Sequence, residues 1–347
     1  MTKKTKRYLF LGIALLLLCV AFVAILFVSR YTISYKQNVA HDAVVCIPTN
    51  ASFETVLDSL RANNILLDEA AFIQTAQHEN YKENVRSGRY KLKAGMTNKE
   101  LVRKLKVGSQ DAVNLVIAGN IRENEKLAAV LSRNIEADSA AVLQLLSNDS
   151  LLQTFGYTPA TVIGMIVPNT YQVYWNVSPE NLLQRLYKEY TNFWNGKRAE
   201  QLKTLDLTQD EVIVLASIVN EETNKTDEMQ RVAGVYMNRI KIGMVLQADP
   251  TLKYAWGDFT LQRVLDKHKT IDSPYNTYKY QGLPPGPICI PSIAAIDAVL
   301  EYEQHSYYYF CAKEDFSGYH VFAKTLTQHN KNANKYRNAL NKNRIFR

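Results

Sequence analysis

Residues 208–224, TQDEVIVLASIVNEETN, join a helix start, an unbroken apolar run and two adjacent acids. Thr208 followed by Glu211 is the pattern of a capping box, in which each side chain satisfies the other's backbone N–H. Behind it VIVLASIV is apolar on nearly every face, so this helix is expected at the centre of a core. Glu221 and Glu222 close the run. Consecutive helical residues lie about 100° apart, so the pair is divided between two environments. Glu222 falls over Ile218 and Leu215, and Glu221 over Ser217 and Val214. Two readings are open from the residues alone: the solvated end of a core helix, which is the commoner case, or one carboxylate delivered to a cleft. In the second case an apolar setting raises the pKa of the carboxyl, as a general acid at neutral pH requires.

Downstream, a second helix is expected from Asp227 through Met229, Val232, Val235, Tyr236 and Ile240 to a stop at Gly243. The two acids then sit at the corner between helices. The chain turns irregular in VLQADPTLKYAWG (245–257), SPYNTYKYQGLPPGPICIPS (273–292) and GYHVFAKTLTQHN (318–330). Residues 271–292 hold five of the ten prolines, a rigid aromatic loop of the kind on which sites are built. Asp249, in LQADP, is either a capping aspartate before Pro250 or an acid partner for Glu222. The residues leave that choice even.

Upstream, residues 8–28, YLFLGIALLLLCVAFVAILFV, contain no charge. About 20 apolar residues suffice to span a bilayer. A secretory signal has a shorter apolar region and a small-x-small cleavage site, so this stretch is expected to stay as an uncleaved transmembrane anchor. Lys3, Lys4, Lys6 and Arg7 keep the N-terminus in the cytoplasm by the positive-inside rule, with the bulk of the chain outside the cytoplasmic (inner) membrane. Residues 1–7 are then a cytoplasmic tail, 29–43 a linker, 44–110 a small module, and 111–347 a second domain with a helical insertion at about 120–200. In the module, helices FETVLDSLRANN and 69–78 precede the strand-like GRYKLKAGM (88–96), and Thr97 with Glu100 caps the next helix. Such a module has the size of a carbohydrate-binding unit, and a plain spacer fits as well. A strand AVNLVIAG (112–119) and an aromatic loop GMIVPNTYQVYW (164–175) follow. The fold class is α+β behind a single N-terminal transmembrane helix.

The net charge of +8 lies largely at the two ends, and residues 324–347 carry seven Lys or Arg and no acid. No nucleic-acid-binding motif accompanies them, so nucleic acid is not an expected partner; a solvated tail or attraction to anionic lipid or wall polymer accounts for them. Of the four cysteines, Cys19 is in the anchor, and Cys46, Cys289 and Cys311 lie beyond it. An odd number outside precludes complete pairing, and no C-x-x-C is present. A Cys289–Cys311 bridge and buried thiols are both open. The six histidines lack metal-ligand spacing. No G-x-S-x-G, Walker or dinucleotide glycine pattern occurs. Neither metal nor cofactor is expected; acid–base chemistry by carboxylates remains.

Three segments then converge: LASIVNEETNKTDEMQRVAGVYMNRIKIGMVLQADPTLKYAWG (215–257), SPYNTYKYQGLPPGPICIPS (273–292) and HVFAKTLTQHN (320–330). In this order, behind an anchor and a small module, they resemble the YceG-like family over nearly the whole chain. The resemblance implies a LysM-like module at 44–110 and a mixed α+β catalytic domain of the YceG-like type at 111–347. It also implies a membrane-bound, endolytic lytic transglycosylase that cuts nascent peptidoglycan between N-acetylmuramic acid and N-acetylglucosamine. The cut leaves 1,6-anhydro-muramyl ends and terminates glycan elongation. The implied partners are glycan strands, the cytoplasmic membrane and cell-wall synthases. In the family pattern A-S-I-V/I-E-x-E-T the catalytic glutamate precedes the threonine, which is Glu222 before Thr223 here. It serves as both general acid and general base. The family's earlier glutamate is Asn220 in this chain, and Glu221 takes the variable position. Gln247, Asp249, Tyr275, Asn276, Thr277, Leu283, Pro284, Pro285, Gly286, His320 and Asn330 match positions that resemble a cleft lining, and the resemblance makes them candidate substrate-binding residues. A non-catalytic peptidoglycan-binding scaffold and a hydrolase that adds water are the alternatives.

Overall fold

The computed structural model describes residues 3–261 and 264–343. Residues 1–2 of the expected cytoplasmic tail and 344–347 of the basic C-terminal stretch lie outside the described residues. Two compact units are present, Met1–Val113 with Gln172–Val177, and Asn114–Tyr171 with Ser178–Arg347. Both helices and short antiparallel strand pairs occur, an α+β fold.

The first unit opens with α1 (Lys3–Tyr35), the one helix among the described residues long and apolar enough to cross a membrane. Its apolar side chains are exposed, as those of a lipid-facing helix are, and it fits a single-pass anchor. The helix runs through seven residues of the expected linker, Ser29 to Tyr35, where no Gly or Pro interrupts it. The Asn98 side chain donates to the Ile33 carbonyl at 3.0 Å, satisfying one of the orphan acceptors at its C-terminus. Next come β1 (Ala43–Ile47), α2 (Phe53–Ala62), α3 (Glu69–His78), β2 (Gly88–Leu92) and α4 (Asn98–Val107). β1 and β2 pair antiparallel with Val45 opposite Tyr90. Val45, Ile47, Leu60, Phe72, Tyr90 and Leu105 form one dry core beneath the pair. The expected capping box on α4 is complete: Thr97 Oγ1 accepts from the Glu100 N–H at 3.2 Å, and Glu100 Oε2 from the Thr97 N–H at 2.8 Å.

β3 (Val113–Ile117) pairs with β4 (Asn169–Val173). Residues 164–175 are expected as a loop, but 169–173 form a strand: Tyr171 and Val173 are buried on one face, and Thr170 and Gln172 are exposed on the other. Between these strands lie α5 (Asn124–Leu131), α6 (Ser139–Leu146) and α7 (Asp149–Gln153). The second unit continues with α8 (Pro179–Phe193), α9 (Lys197–Leu202), α10 (Gln209–Glu222), α11 (Thr226–Lys241), α12 (Asp249–Trp256) and α13 (Ile293–Leu300). It closes with the hairpin β5 (Tyr309–Ala312) and β6 (His320–Ala323), and then α14 (Leu326–Lys342).

α10 is the central helix that the apolar run demands. Every residue from Val212 to Asn220 is buried, and the Thr208–Glu211 capping box fixes its start. α11, α12 and α13 pack around it. α11 approaches the segment between α13 and β5 so closely at Gly234 that a Cβ there would overlap the Glu303 carbonyl and the His305 ring. Gly234→Ala is therefore expected to destabilise this unit by about 1–3 kcal/mol, the usual range for overpacking. Thermal melting of the full chain checks this, and an unchanged midpoint would contradict so tight a contact.

Candidate active site

The last residue of α10 opens into a cleft of about 360 Å³. α11 contributes Tyr236 and Arg239, and the entry to α12 contributes Gln247 and Asp249. Tyr278, the β5 residues Tyr309–Ala312, His320 of β6, and Leu326 and His329 of α14 complete the wall. Glu222 keeps some contact with water at the cleft floor, yet its carboxylate is ringed by protein atoms. The Tyr236 hydroxyl, itself deeply buried, donates to Oε1 at 2.6 Å. Burial pushes the Glu222 pKa up to about 7, and the Asp249 charge adds to the rise. The Tyr236 hydrogen bond, Arg239 and Lys253 oppose it without cancelling it. A carboxyl so placed holds its proton near neutrality and still ionises readily.

Glu221 has a different fate. Arg122 Nη2 meets both of its oxygens, at 2.8 and 2.7 Å, and the guanidinium lies 4.9 Å from the Phe259 ring centre. Asn220 accepts from the Ser292 N–H at 3.0 Å and donates to Asn120, so it fastens the start of α13. The two acids are thus split as helical geometry requires. Glu221→Gln is expected to keep most cleavage activity, because Arg122 and not the cleft occupies its carboxylate; a loss as large as that of a Glu222 variant would contradict the division.

Other cleft groups are held firmly. Arg239 donates through Nε to the Tyr308 carbonyl at 2.7 Å and through Nη1 to the Leu246 carbonyl at 2.5 Å, and burial draws its pKa down. Asp249 is the first residue of α12, with Ala248 as the N-cap residue, so its carboxylate does not cap the helix. It accepts instead from the Tyr278 hydroxyl at 2.5 Å. Gln247 is exposed with a φ of +50° and donates its backbone N–H to the Thr277 carbonyl at 2.9 Å. His320 Nδ1 lies 2.7 Å from Glu228 Oε2.

The structure brings Glu222, Gln247, Asp249 and His320 together in the cleft. Tyr275, Asn276 and Thr277 are not in its lining; they brace the loop behind it. Asn276 is fully buried and donates to the Lys269 and Ile271 carbonyls at 2.9 and 2.8 Å, while Thr277 Oγ1 accepts from the Ala248 N–H at 3.0 Å. The Tyr275 ring lies against Tyr254, its centroid 4.7 Å away, and a Cβ on Gly286 would come within 2.9 Å of the Tyr275 hydroxyl oxygen. Leu283, Pro284, Pro285 and Gly286 belong to the segment that ends with the Ile288 N–H on Ser217 Oγ at 3.0 Å, and they also lie outside the lining. Asn330 is exposed beside the cleft residue His329. Cys289 is buried against the Ser217 carbonyl and Cys311 lines the cleft, and no disulfide joins them.

Sequence reasoning did not reach Tyr236, Arg239, Tyr278, Tyr309, Phe310 or His329 as site residues. For Arg239 a signal existed. It lies three residues after Tyr236 on the apolar stripe of α11, where an arginine needs a partner inside the fold. The aromatic wall of β5 gave no such signal, since its pattern is that of any short strand.

The model of the YceG-like family matches residues 45–335. An endolytic murein transglycosylase of Bacillus subtilis is 29% identical over 305 residues, covering 84% of this chain and 83% of that protein. One from Streptococcus pneumoniae is 24% identical over 329 residues, 85% of this chain but 58% of the longer relative. A crystal structure of a YceG-like protein from Listeria monocytogenes superposes with a TM-score of 0.55 at 27% identity, over 84% of this chain and 99% of that one.

Proposed function

The chain belongs to the YceG-like family, and from that premise we propose that it is a peptidoglycan lytic transglycosylase in which Glu222 is the sole acid and base. One observation carries the assignment: of the two carboxyls lining the cleft, Asp249 is exposed while Glu222 is drawn in and met by the Tyr236 hydroxyl, and its burial raises its pKa to about 7. The relatives' names, endolytic murein transglycosylase, supply the substrate class and reaction. The bond cut joins N-acetylmuramic acid to N-acetylglucosamine. Protonated Glu222 gives its proton to the glycosidic oxygen as the C1–O bond breaks, and the substrate's acetamido oxygen supports C1. The C6 hydroxyl then attacks C1 and returns its proton to Glu222. Water is not consumed, and a 1,6-anhydro-muramyl end results. Arg239 holds the floor of the cleft in place, and Gln247, Asp249 and His320 bind the sugars around the scissile bond. Tyr275, Asn276, Thr277 and the 283–286 turn act from behind, by fixing the Gln247–Asp249 segment and α10; Asn330 at the rim is assigned a minor contact with the strand.

The same reading extends along the chain. Internal cutting of nascent strands would end glycan elongation, and cell-wall synthases are the corresponding protein partners. Lys3, Lys4 and Arg7 favour an N-terminus inside the cytoplasmic membrane with the catalytic unit outside. The β1–α2–α3–β2 order with antiparallel strands supports a LysM-like module.

Asp249, a second carboxylate in the same cleft, gives a two-carboxylate hydrolase its support. Mass spectrometry of ends released from purified glycan strands by the full-length protein separates the readings. Anhydro ends are expected; reducing ends would mean hydrolysis, and no new ends a non-catalytic scaffold.

A further inference from the structure

We propose that Glu228 and His320 form a carboxylate–imidazole pair that binds the acetamido group of the muramyl residue, an assignment that rests on the transglycosylase reading of the cleft. Glu228 lies in the first turn of α11 and is buried, as is Thr223. Its carboxylate is enclosed by donors. The His320 backbone N–H reaches Oε1 at 2.8 Å, the Thr223 hydroxyl reaches Oε2 at 3.3 Å, and His320 Nδ1 stands 2.7 Å from the same Oε2. Thr223 directly follows Glu222, so the pair is fastened to the end of the helix that delivers the acid.

A carboxylate out of water is tolerated only where donors face it, and an ionised carboxylate can only accept. The proton between Glu228 and the ring therefore sits on Nδ1. Nε2, which points away from Glu228, is the nitrogen left for the cleft that His320 lines. Among the described residues no protein group bonds to it. The ring has little freedom to turn: its backbone is paired across the hairpin opposite Ala312, and the Phe310 ring meets it edge-on at 5.2 Å. In the neutral ring this nitrogen is a fixed hydrogen-bond acceptor, in the same cleft as Glu222, with an unused lone pair.

The reaction has a place for such an acceptor. As the proton of Glu222 passes to the leaving oxygen and the C1–O bond breaks, the acetamido carbonyl oxygen bonds to C1 and positive charge grows on the amide N–H. A lone pair held at that N–H is worth more in the transition state than in the bound substrate, and so raises the rate. In the second step the C6 oxygen bonds to C1, the bond from C1 to the carbonyl oxygen breaks, and the C6 hydroxyl proton returns to Glu222. The amide keeps its hydrogen throughout, and no further reagent enters. His320 touches the substrate; Glu228 acts through it as a positioning residue.

The test uses full-length protein in detergent and two substrates: N-acetylated glycan strands and the same strands after N-deacetylation. The readout is the ratio of anhydro-end release on the first to release on the second. Wild type should favour acetylated strands. His320→Ala and Glu228→Gln should each lower that ratio, by about tenfold for one hydrogen bond, and the double variant should lower it no further than His320→Ala. His320→Gln, which keeps an acceptor, should recover part of the ratio. A rate that falls equally on both substrates, leaving the ratio intact, would overturn the pair's role and indicate packing alone. Should Glu228→Gln melt early, the His320 variants decide the matter by themselves. A wild type that releases no anhydro ends from acetylated strands overturns the functional reading, and this inference with it.

Discussion

Glu222→Gln is expected to lower release of anhydro-muramyl ends by roughly 10²-fold or more, the scale for loss of a general acid, while making the protein more stable in mild alkali. The two effects share one cause. In the folded chain the carboxyl titrates at about 7, against an ordinary 4.5. Between those values the folded state binds more protons than the unfolded one, so this group's contribution to stability falls as pH rises through that window. At 1.36 kcal/mol per unit the full effect above neutrality is at most roughly 3 kcal/mol, reduced by the water that still reaches Glu222. Glutamine never ionises, and its amide oxygen can still accept from Tyr236. The variant should therefore melt above wild type at about pH 8 and alongside it near pH 4.5. An inactive variant that melts lower at both values would point to damaged folding and remove the argument for chemistry.

The pH dependence of kcat/KM is expected to fall on the alkaline side with an apparent pKa of about 7, as free enzyme loses the Glu222 proton. Two substitutions should move that limb in opposite directions. Tyr236→Phe deletes the donor that favours the charged carboxylate, so the limb moves to higher pH. Asp249→Asn deletes a neighbouring negative charge that disfavours ionisation, so the limb moves to lower pH. Initial rates at substrate concentrations well below KM across a pH series, with melting curves as controls, measure both shifts. If the limb stays fixed in both variants, Glu222 is not the group it reports. If Asp249→Asn abolishes cleavage at every pH, the two-carboxylate hydrolase gains instead.

Much of this was legible in the chain because local rules and tertiary packing agree there. The capping boxes at Thr97 and Thr208, the all-round apolar run of α10 and the long apolar helix α1 each follow from spacing alone. The split between Glu221 and Glu222 was legible for the same reason: helical rotation assigns them to different faces whatever surrounds them. What occupies those faces was not. Arg122 meets Glu221 from a position 99 residues earlier, and no local pattern announces such a pairing. The cleft wall is likewise non-local, since β5 and α14 reach Glu222 only after α13 has turned the chain back over α10 and α11. The 169–173 strand was missed because an aromatic loop and a short edge strand share a composition, and only the partner strand decides between them. Residues such as Asn276 and Thr277 matched a family motif, yet a motif does not say whether a side chain faces the substrate or braces the loop that does.

The central claim is that one carboxylate acts and water does not. Cleavage of purified glycan strands by full-length protein in H₂¹⁸O tests it most directly, with mass spectrometry of each new muramyl end. If C6 attacks C1, the ends are anhydro and carry no ¹⁸O, and Glu222→Gln yields none. Reducing ends carrying ¹⁸O at C1 would contradict the account.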